Sequence, residues 1–148
     1  MVVEDYDDYR EALSALLVCE SYRPISCRTA ESAWTMLRAG IRPAAIVLDL
    51  ALPGMSGREL LEVVRATSWG ALIPVLLLSG WQRLDELAID ADRILPKDAE
   101  PVSIMRAIDR LVVQGRRPAA ARVLPPKPDR TERPPTGPGS KPSSCASY

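Results

Sequence analysis

Ala44-Ala45-Ile46-Val47-Leu48-Asp49-Leu50-Ala51-Leu52-Pro53-Gly54-Met55-Ser56-Gly57 is the stretch that decides the fold. An unbroken apolar run from Ala44 to Leu48 ends in one carboxylate and passes at once into turn-forming residues. Apolar side chains at consecutive positions mean burial on both faces, the pattern of a parallel strand covered by helices. Asp49 then stands at the carboxyl end of that strand, the edge at which ligands bind in open α/β sheets. A lone charge there would be costly, so it needs partners from elsewhere in the chain.

Just downstream, Ser56-Gly57-Arg58-Glu59 is a capping box, and Leu60, Leu61 and Val64 continue a helix behind it. Ile73 to Leu78 is a second continuous apolar run, ending in Ser79-Gly80. A short helix is expected around residues 83–89, and Ile94-Leu95 leads into Pro96-Lys97 as a fifth strand, at the sheet edge because Pro is tolerated there. Pro101 suits the first position of a last helix striped by Ile104, Met105, Ile108, Leu111 and Val112. Upstream, Met1-Val2-Val3 reads as the end of a strand and Asp8-Tyr9-Arg10-Glu11 as a helix start, with Leu13, Leu16 and Leu17 on one face. Pro24 to Cys27 reads as a weaker strand, and Ala30, Ala33, Trp34 and Leu37 mark a helix that Gly40 closes. The alternation is (βα)5, an α/β fold with a parallel sheet. Right-handed crossovers bring every strand's carboxyl end to one edge, so Glu4-Asp5, Asp49, Ser79 and Lys97 converge.

Composition sets the bounds. The formal net charge of the 148 residues is zero. Residues 1–113 carry 12 Lys/Arg against 17 Asp/Glu, a net of −5, and residues 114–148 carry 7 against 2, a net of +5. Eight of the 14 prolines fall in that last stretch, which has too little apolar surface to offset its ordering entropy and is expected to be a disordered, partly polyproline II tail. Its lack of aromatics other than Tyr148 makes nucleic acid an unexpected partner. No apolar stretch is long enough to span a membrane. The three cysteines, Cys19, Cys27 and Cys145, do not suggest a disulfide framework, so a reduced, cytoplasmic protein is expected, with Cys19 and Cys27 as packing residues. The absence of histidine excludes His-based catalysis and His-ligated zinc.

Three carboxylates in one pocket repel, by roughly 4 kcal/mol for a pair about 4 Å apart at an effective dielectric near 20. They call for a hard divalent cation with oxygen ligands, and Mg²⁺ fits, being held through one or two carboxylates plus phosphate and water. Such a cation, the Lys97 ammonium and the Ser79 hydroxyl suit a transferring phosphoryl group, with Asp49 placed to accept it as an acyl phosphate.

These residues resemble the receiver domain of bacterial two-component response regulators. The resemblance rests on Val2-Val3-Glu4-Asp5, on Ile46 to Gly57, on Val75 to Gly80 and on Ile94-Leu95-Pro96-Lys97, and covers about residues 1–113, leaving 114–148 as the tail. It implies a doubly wound, flavodoxin-like three-layer sandwich with sheet order 2-1-3-4-5. It also implies Asp49 as phosphoacceptor from a sensor histidine kinase or histidine phosphotransfer protein. Glu4, Asp5, Asp49 and the backbone carbonyl of Ala51 would ligate Mg²⁺, and Ser79 and Lys97 would contact the phosphoryl group. Ala51 and Trp81 stand at positions that tune dephosphorylation in the family, and neither offers a good group for orienting water, so a long-lived phospho-form is expected. The chain departs from the family pattern in four ways. Strand one begins almost at Met1. Asp98 follows Lys97 where Pro is usual, and Ile94 stands where a switch aromatic is frequent. The segment from Ser79 to Lys97 is short. The expected function is a stand-alone phosphoacceptor without a linked output domain, signalling to a downstream protein by contact. The alternative is a pseudo-receiver interaction module that does not cycle phosphate. A phosphatase of the haloacid dehalogenase type would want an acid at position 51, where this chain has Ala.

Overall fold

The computed structural model describes residues 1–80 and 89–115. Five strands form one parallel sheet: β1 (Val2–Val3), β2 (Ser26–Cys27), β3 (Ile46–Asp49), β4 (Val75–Ser79) and β5 (Arg93–Pro96), in the order β2-β1-β3-β4-β5. The helices are α1 (Asp7–Cys19), α2 (Ala30–Arg38), α3 (Gly57–Arg65) and α4 (Pro101–Gln114), with a 3₁₀ turn at Gly70–Leu72 before β4. The order is the expected 2-1-3-4-5 of a flavodoxin-like sandwich.

The period of two along each strand divides the core into two layers. Val3, Ile46, Leu48, Val75 and Leu77 face α2 and α3, where Ala33, Leu37, Leu60, Leu61 and Val64 cover them. Val2, Val47, Leu76 and Leu78 face the other way, under Leu13 and Leu17 of α1 and Ile104, Ile108 and Leu111 of α4. The strands of the middle are thus apolar at every position because each alternate residue serves a different layer, and register is fixed by Ile46 opposite Val75 through Asp49 opposite Leu78.

Several boundaries differ from the sequence expectation for identifiable reasons. β3 begins at Ile46 because Ala44 is exposed, and β4 begins at Val75 because Ile73 and Pro74 leave the 3₁₀ turn. β1 is only two residues long, but the ladder is extended by Met1, whose amino group donates to the Ala45 carbonyl at 2.8 Å and whose carbonyl accepts from Val47 at 2.9 Å. Asp8 does not cap α1: the helix starts at Asp7, with Tyr6 at the cap position and no side-chain cap bond. Asp7 instead pairs with Arg10 and, at 3.3 Å, with Arg28. Cys19 is exposed at the end of α1 and is no packing residue, whereas Cys27 is buried. Trp34 is partly buried and stacks on Trp69 with ring centroids 6.1 Å apart. The helix expected near 83–89 and the tail from 116 onward lie outside the described residues, apart from Ile89, which is not helical. No helix among the described residues is long and apolar enough to cross a membrane.

Candidate functional site

Because every strand runs the same way, their carboxyl ends share one edge, and the polar residues that terminate the apolar runs meet there. Glu4 follows β1, Asp49 ends β3, Ser79 ends β4, and Lys97 follows β5. Glu4 and Asp49 are each only 2% exposed and Ser79 is fully buried, while Asp5 is half-buried. Glu4, Asp5 and Asp49 each offer a carboxylate oxygen, and these oxygens lie within 4.8 Å of one another. Residues up to 45 positions apart in sequence thus form one acidic pocket.

Lys97 answers that charge. Its Nζ lies 2.9 Å from Glu4 Oε1, 2.8 Å from Glu4 Oε2 and 2.9 Å from Asp49 Oδ2. Its backbone is held too, the amide donating to the Ser79 carbonyl at 2.9 Å. Burial, opposed by the bond to Lys97 and reinforced by the charge of Asp49, pushes the Glu4 carboxyl above its ordinary range. Burial also works against the Lys97 charge, but the close carboxylates of Asp49 and Glu4 outweigh it and hold the ammonium above its usual value. Glu4 and Asp49 thus share one ammonium, which leaves the three carboxylates in excess of positive charge.

The surroundings hold these side chains in place. Asp49 Oδ1 accepts from the Ala51 amide at 3.1 Å, an Asx turn that aims the carboxylate. Gly57 packs so close behind that a Cβ there would lie 1.9 Å from the Asp49 carbonyl oxygen. In the same loop Gly54 has φ +74°, and Glu31 of α2 accepts from the Met55 amide at 2.8 Å. From α1, the buried Arg10 donates to the carbonyls of Glu4 at 2.9 Å and Asp5 at 3.4 Å, so a guanidinium carries the backbone of the acidic pair. Tyr9 donates its hydroxyl to the Lys97 carbonyl at 3.1 Å, and its ring lies 5.5 Å from Lys97 Nζ.

Of the residues singled out from sequence, Glu4, Asp5, Asp49, Ser79 and Lys97 come together. Ala51 is exposed on the loop beside them, and Ile94 is half-buried in β5, packed toward the α2/α3 layer. Trp81 lies outside the described residues. Sequence reading missed Tyr9 and Arg10, polar residues that share the buried side of α1 with Leu13 and Leu17. The available signals were their spacing to Leu13 and Leu17 and their position about one helical turn behind Glu4-Asp5.

The donor set fits a hard divalent cation. It consists of carboxylate oxygens with no sulfur or imidazole. Glu4 Oε2 and Asp49 Oδ2 are buried and face Lys97 without hydrogen-bond alignment, which leaves lone pairs for a further cation.

A family model, that of the response regulator receiver domain, matches residues 1–109. The transcriptional regulatory protein AfsQ1 of Streptomyces coelicolor is 34% identical over 79 residues, 53% of this chain and 33% of its own length. The chain spans a third or less of the length of the first such curated relatives. Among solved structures, the signal receiver domain of a signal transduction histidine kinase from Syntrophus aciditrophicus superposes with a TM-score of 0.71 at 26% identity, over 76% of this chain and 88% of that one. The response regulator TrrA of Thermotoga maritima, in complex with Mg(2+)-BeF, shares the fold with a TM-score of 0.67 at 24% identity, over 74% and 95% of the two chains. Strand order, the acidic edge and the match over residues 1–109 agree, and the chain belongs to the response regulator receiver domain family.

Proposed function

We propose that this receiver domain is a working phosphoacceptor, with Asp49 as the residue that is modified. The observation that carries this reading is the joint placement of Glu4, Asp5 and Asp49 within 4.8 Å, with Lys97 between two of them. Glu4, Asp5, Asp49 and the Ala51 backbone carbonyl would hold Mg²⁺, in accord with the Mg(2+)-BeF complex of TrrA. Bound there, the ion supplies divalent positive charge to the oxygens of an incoming phosphoryl group. An Asp49 carboxylate oxygen bonds to phosphorus as the phosphorus–nitrogen bond to a donor histidine breaks. The electron pair stays on the imidazole, which takes a proton from solvent, and the product is an acyl phosphate. Lys97 pairs with a phosphoryl oxygen in place of the carboxylates, and the Ser79 hydroxyl donates to another.

The donor is a sensor histidine kinase or histidine phosphotransfer protein, and the output is a contact with a downstream protein. Residues 1–113 form the phosphoacceptor unit and 114–148 a basic appendage. Ala51 brings only a methyl group to the site, so hydrolysis of the acyl phosphate is slow and its half-life exceeds seconds.

Intact-mass measurement after incubation with Mg²⁺ and acetyl phosphate tests the reading. One phosphoryl adduct is expected, absent without Mg²⁺ and absent in Asp49→Ala. An unmodified wild-type chain under these conditions, and with histidine kinases as donors, would make the domain an interaction module that does not cycle phosphate.

A further inference from the structure

The phosphoacceptor reading leaves open what keeps Lys97 in line once its carboxylates are taken by a cation. Lys97 sits in a turn directly after β5, the edge strand of the sheet. Its stem is four flexible carbons, and its ammonium has no preferred geometry of its own. In the structure its Nζ is held by Glu4 and Asp49. Both are proposed cation ligands, so a divalent ion in the pocket competes for the same oxygens and loosens that hold.

Tyr9 is independent of that competition. It projects from α1, partly buried, and reaches Lys97 across 88 positions of sequence by two separate contacts. The hydroxyl donates to the Lys97 carbonyl at 3.1 Å, and the ring lies 5.5 Å from Nζ, within cation–π range. With the Lys97 amide bonded to the Ser79 carbonyl at 2.9 Å, the residue's peptide groups are held on both sides, from β4 and from α1. Tyr9 and Lys97 also line one apolar crevice with Leu13, Leu16, Ala99 and Ile104. The next residue of α1, Arg10, holds the carbonyls of Glu4 and Asp5. One helical turn thus braces both halves of the site.

We propose that Tyr9 is a positioning residue for Lys97: it keeps the ammonium aimed at the phosphoryl group after Glu4 and Asp49 are engaged by the cation. This rests on the phosphoacceptor reading, and it predicts a separation of effects that a merely structural tyrosine would not produce.

The test uses the full chain as wild type, Tyr9→Phe and Tyr9→Leu, with three measurements. In the NMR spectrum, the Lys97 ε-methylene protons should be shifted upfield of those of Lys127 and Lys141 by the Tyr9 ring current, in Tyr9→Phe as in wild type but not in Tyr9→Leu. The rate of phosphoryl adduct formation from acetyl phosphate should fall about threefold in Tyr9→Phe, for one lost hydrogen bond. In Tyr9→Leu it should fall about tenfold or more, for the lost alignment. Mg²⁺ affinity measured by calorimetry should be unchanged in both variants, because the ligands and Arg10 are untouched. A Lys97 resonance identical in wild type and Tyr9→Leu would overturn the proposal. So would a loss of Mg²⁺ affinity parallel to the loss of rate, which would assign Tyr9 to the packing of α1. If wild type binds Mg²⁺ but takes no phosphoryl group, the phosphoacceptor reading fails while the Lys97 resonance still decides whether Tyr9 holds the lysine.

Discussion

Glu4 is the residue at which folding and the proposed cation binding would pull in opposite directions. Its side chain is 2% exposed, and burial, ahead of the opposing bond from Lys97, raises its pKa above the ordinary 4.5. A carboxyl whose folded pKa is raised holds its proton longer in the folded chain than in the unfolded one. Its contribution to stability is therefore full below the unfolded value and is lost as pH rises through the folded value. In the absence of Mg²⁺, Glu4→Gln should gain on wild type as pH climbs from 4.5, levelling once the raised value is passed. Urea titrations across that range measure the difference, and a constant gap between the two proteins would refute it. If Glu4 ligates Mg²⁺ as proposed, saturating Mg²⁺ should reverse the order, because a neutral amide oxygen is a weaker ligand than a carboxylate. Glu4 was legible in the sequence, as were Asp5, Asp49, Ser79 and Lys97, because each ends an apolar run and topology alone brings such ends together. Tyr9 and Arg10 were not legible. Their spacing puts them beside Leu13 and Leu17 on the buried face of α1, but nothing in a helical period reveals which carbonyls beyond β1 and β5 a polar residue on that face will find.

α3 is the element whose position bears most directly on Asp49. Its start is over-determined: Ser56 accepts from the Glu59 amide at 3.2 Å, and Glu59 accepts from the Ser56 amide at 2.8 Å. Gly57, the first helical residue, lies against the end of β3, so that a Cβ would sit 1.9 Å from the Asp49 carbonyl oxygen and 2.9 Å from its carbon. Both are backbone atoms and neither can swing away. Gly57→Ala should therefore push α3 off the strand end, costing about 3 kcal/mol, the upper end of ordinary overpacking. Ser56→Ala should cost only about 1 kcal/mol, the value of a lost cap. Mg²⁺ affinity should drop in the first variant, where Asp49 is displaced, and hold in the second. Chemical denaturation and calorimetry on the pair would expose the error if Gly57→Ala were the milder change. The capping box was readable because its four residues are local. The close approach of Gly57 to β3 was not, since it depends on how the loop between them closes. The α1 start was misread for the converse reason: Asp8 has the residue type of a cap, but the Glu4 side chain accepts from the Tyr6 amide at 3.2 Å and Asp7 turns to Arg10 and Arg28.

At the scale of the whole molecule, the sheet carries polar bracing at both ends. The carboxyl edge has the acidic pocket and Lys97. The opposite edge has Arg65, whose Nη1 donates to the carbonyls of Gly70 at 2.8 Å and Ile73 at 2.7 Å, while Nη2 pairs with Asp92 at 2.9 Å. Asp92 in turn accepts from the Val75 amide at 2.9 Å. One guanidinium thereby joins the end of α3, the 3₁₀ turn, the start of β4 and the approach to β5. The Arg65 and Asp92 side chains are only 9% and 7% exposed, so removing the cation takes a charge partner at 2.9 Å from a largely buried carboxylate. Arg65→Met should cost about 3 kcal/mol on that account. β4 separates the two braces: Val75 bonds Asp92 at one end and Ser79 bonds Lys97 at the other. Its five residues, at a rise of about 3.3 Å each, put roughly 13 Å between the ends. At such a separation, perturbations generally add to within about 0.5 kcal/mol. Arg65→Met should therefore lower the melting temperature while leaving the Mg²⁺ dissociation constant unchanged, and combined with Lys97→Met it should lose the sum of the two single losses. A double-mutant cycle monitored by thermal unfolding, with Mg²⁺ affinity measured on each protein, decides the matter. A coupling well beyond that margin would mean that β4 transmits strain between the two edges of the sheet, and that the state of the acidic pocket is felt where α3 ends.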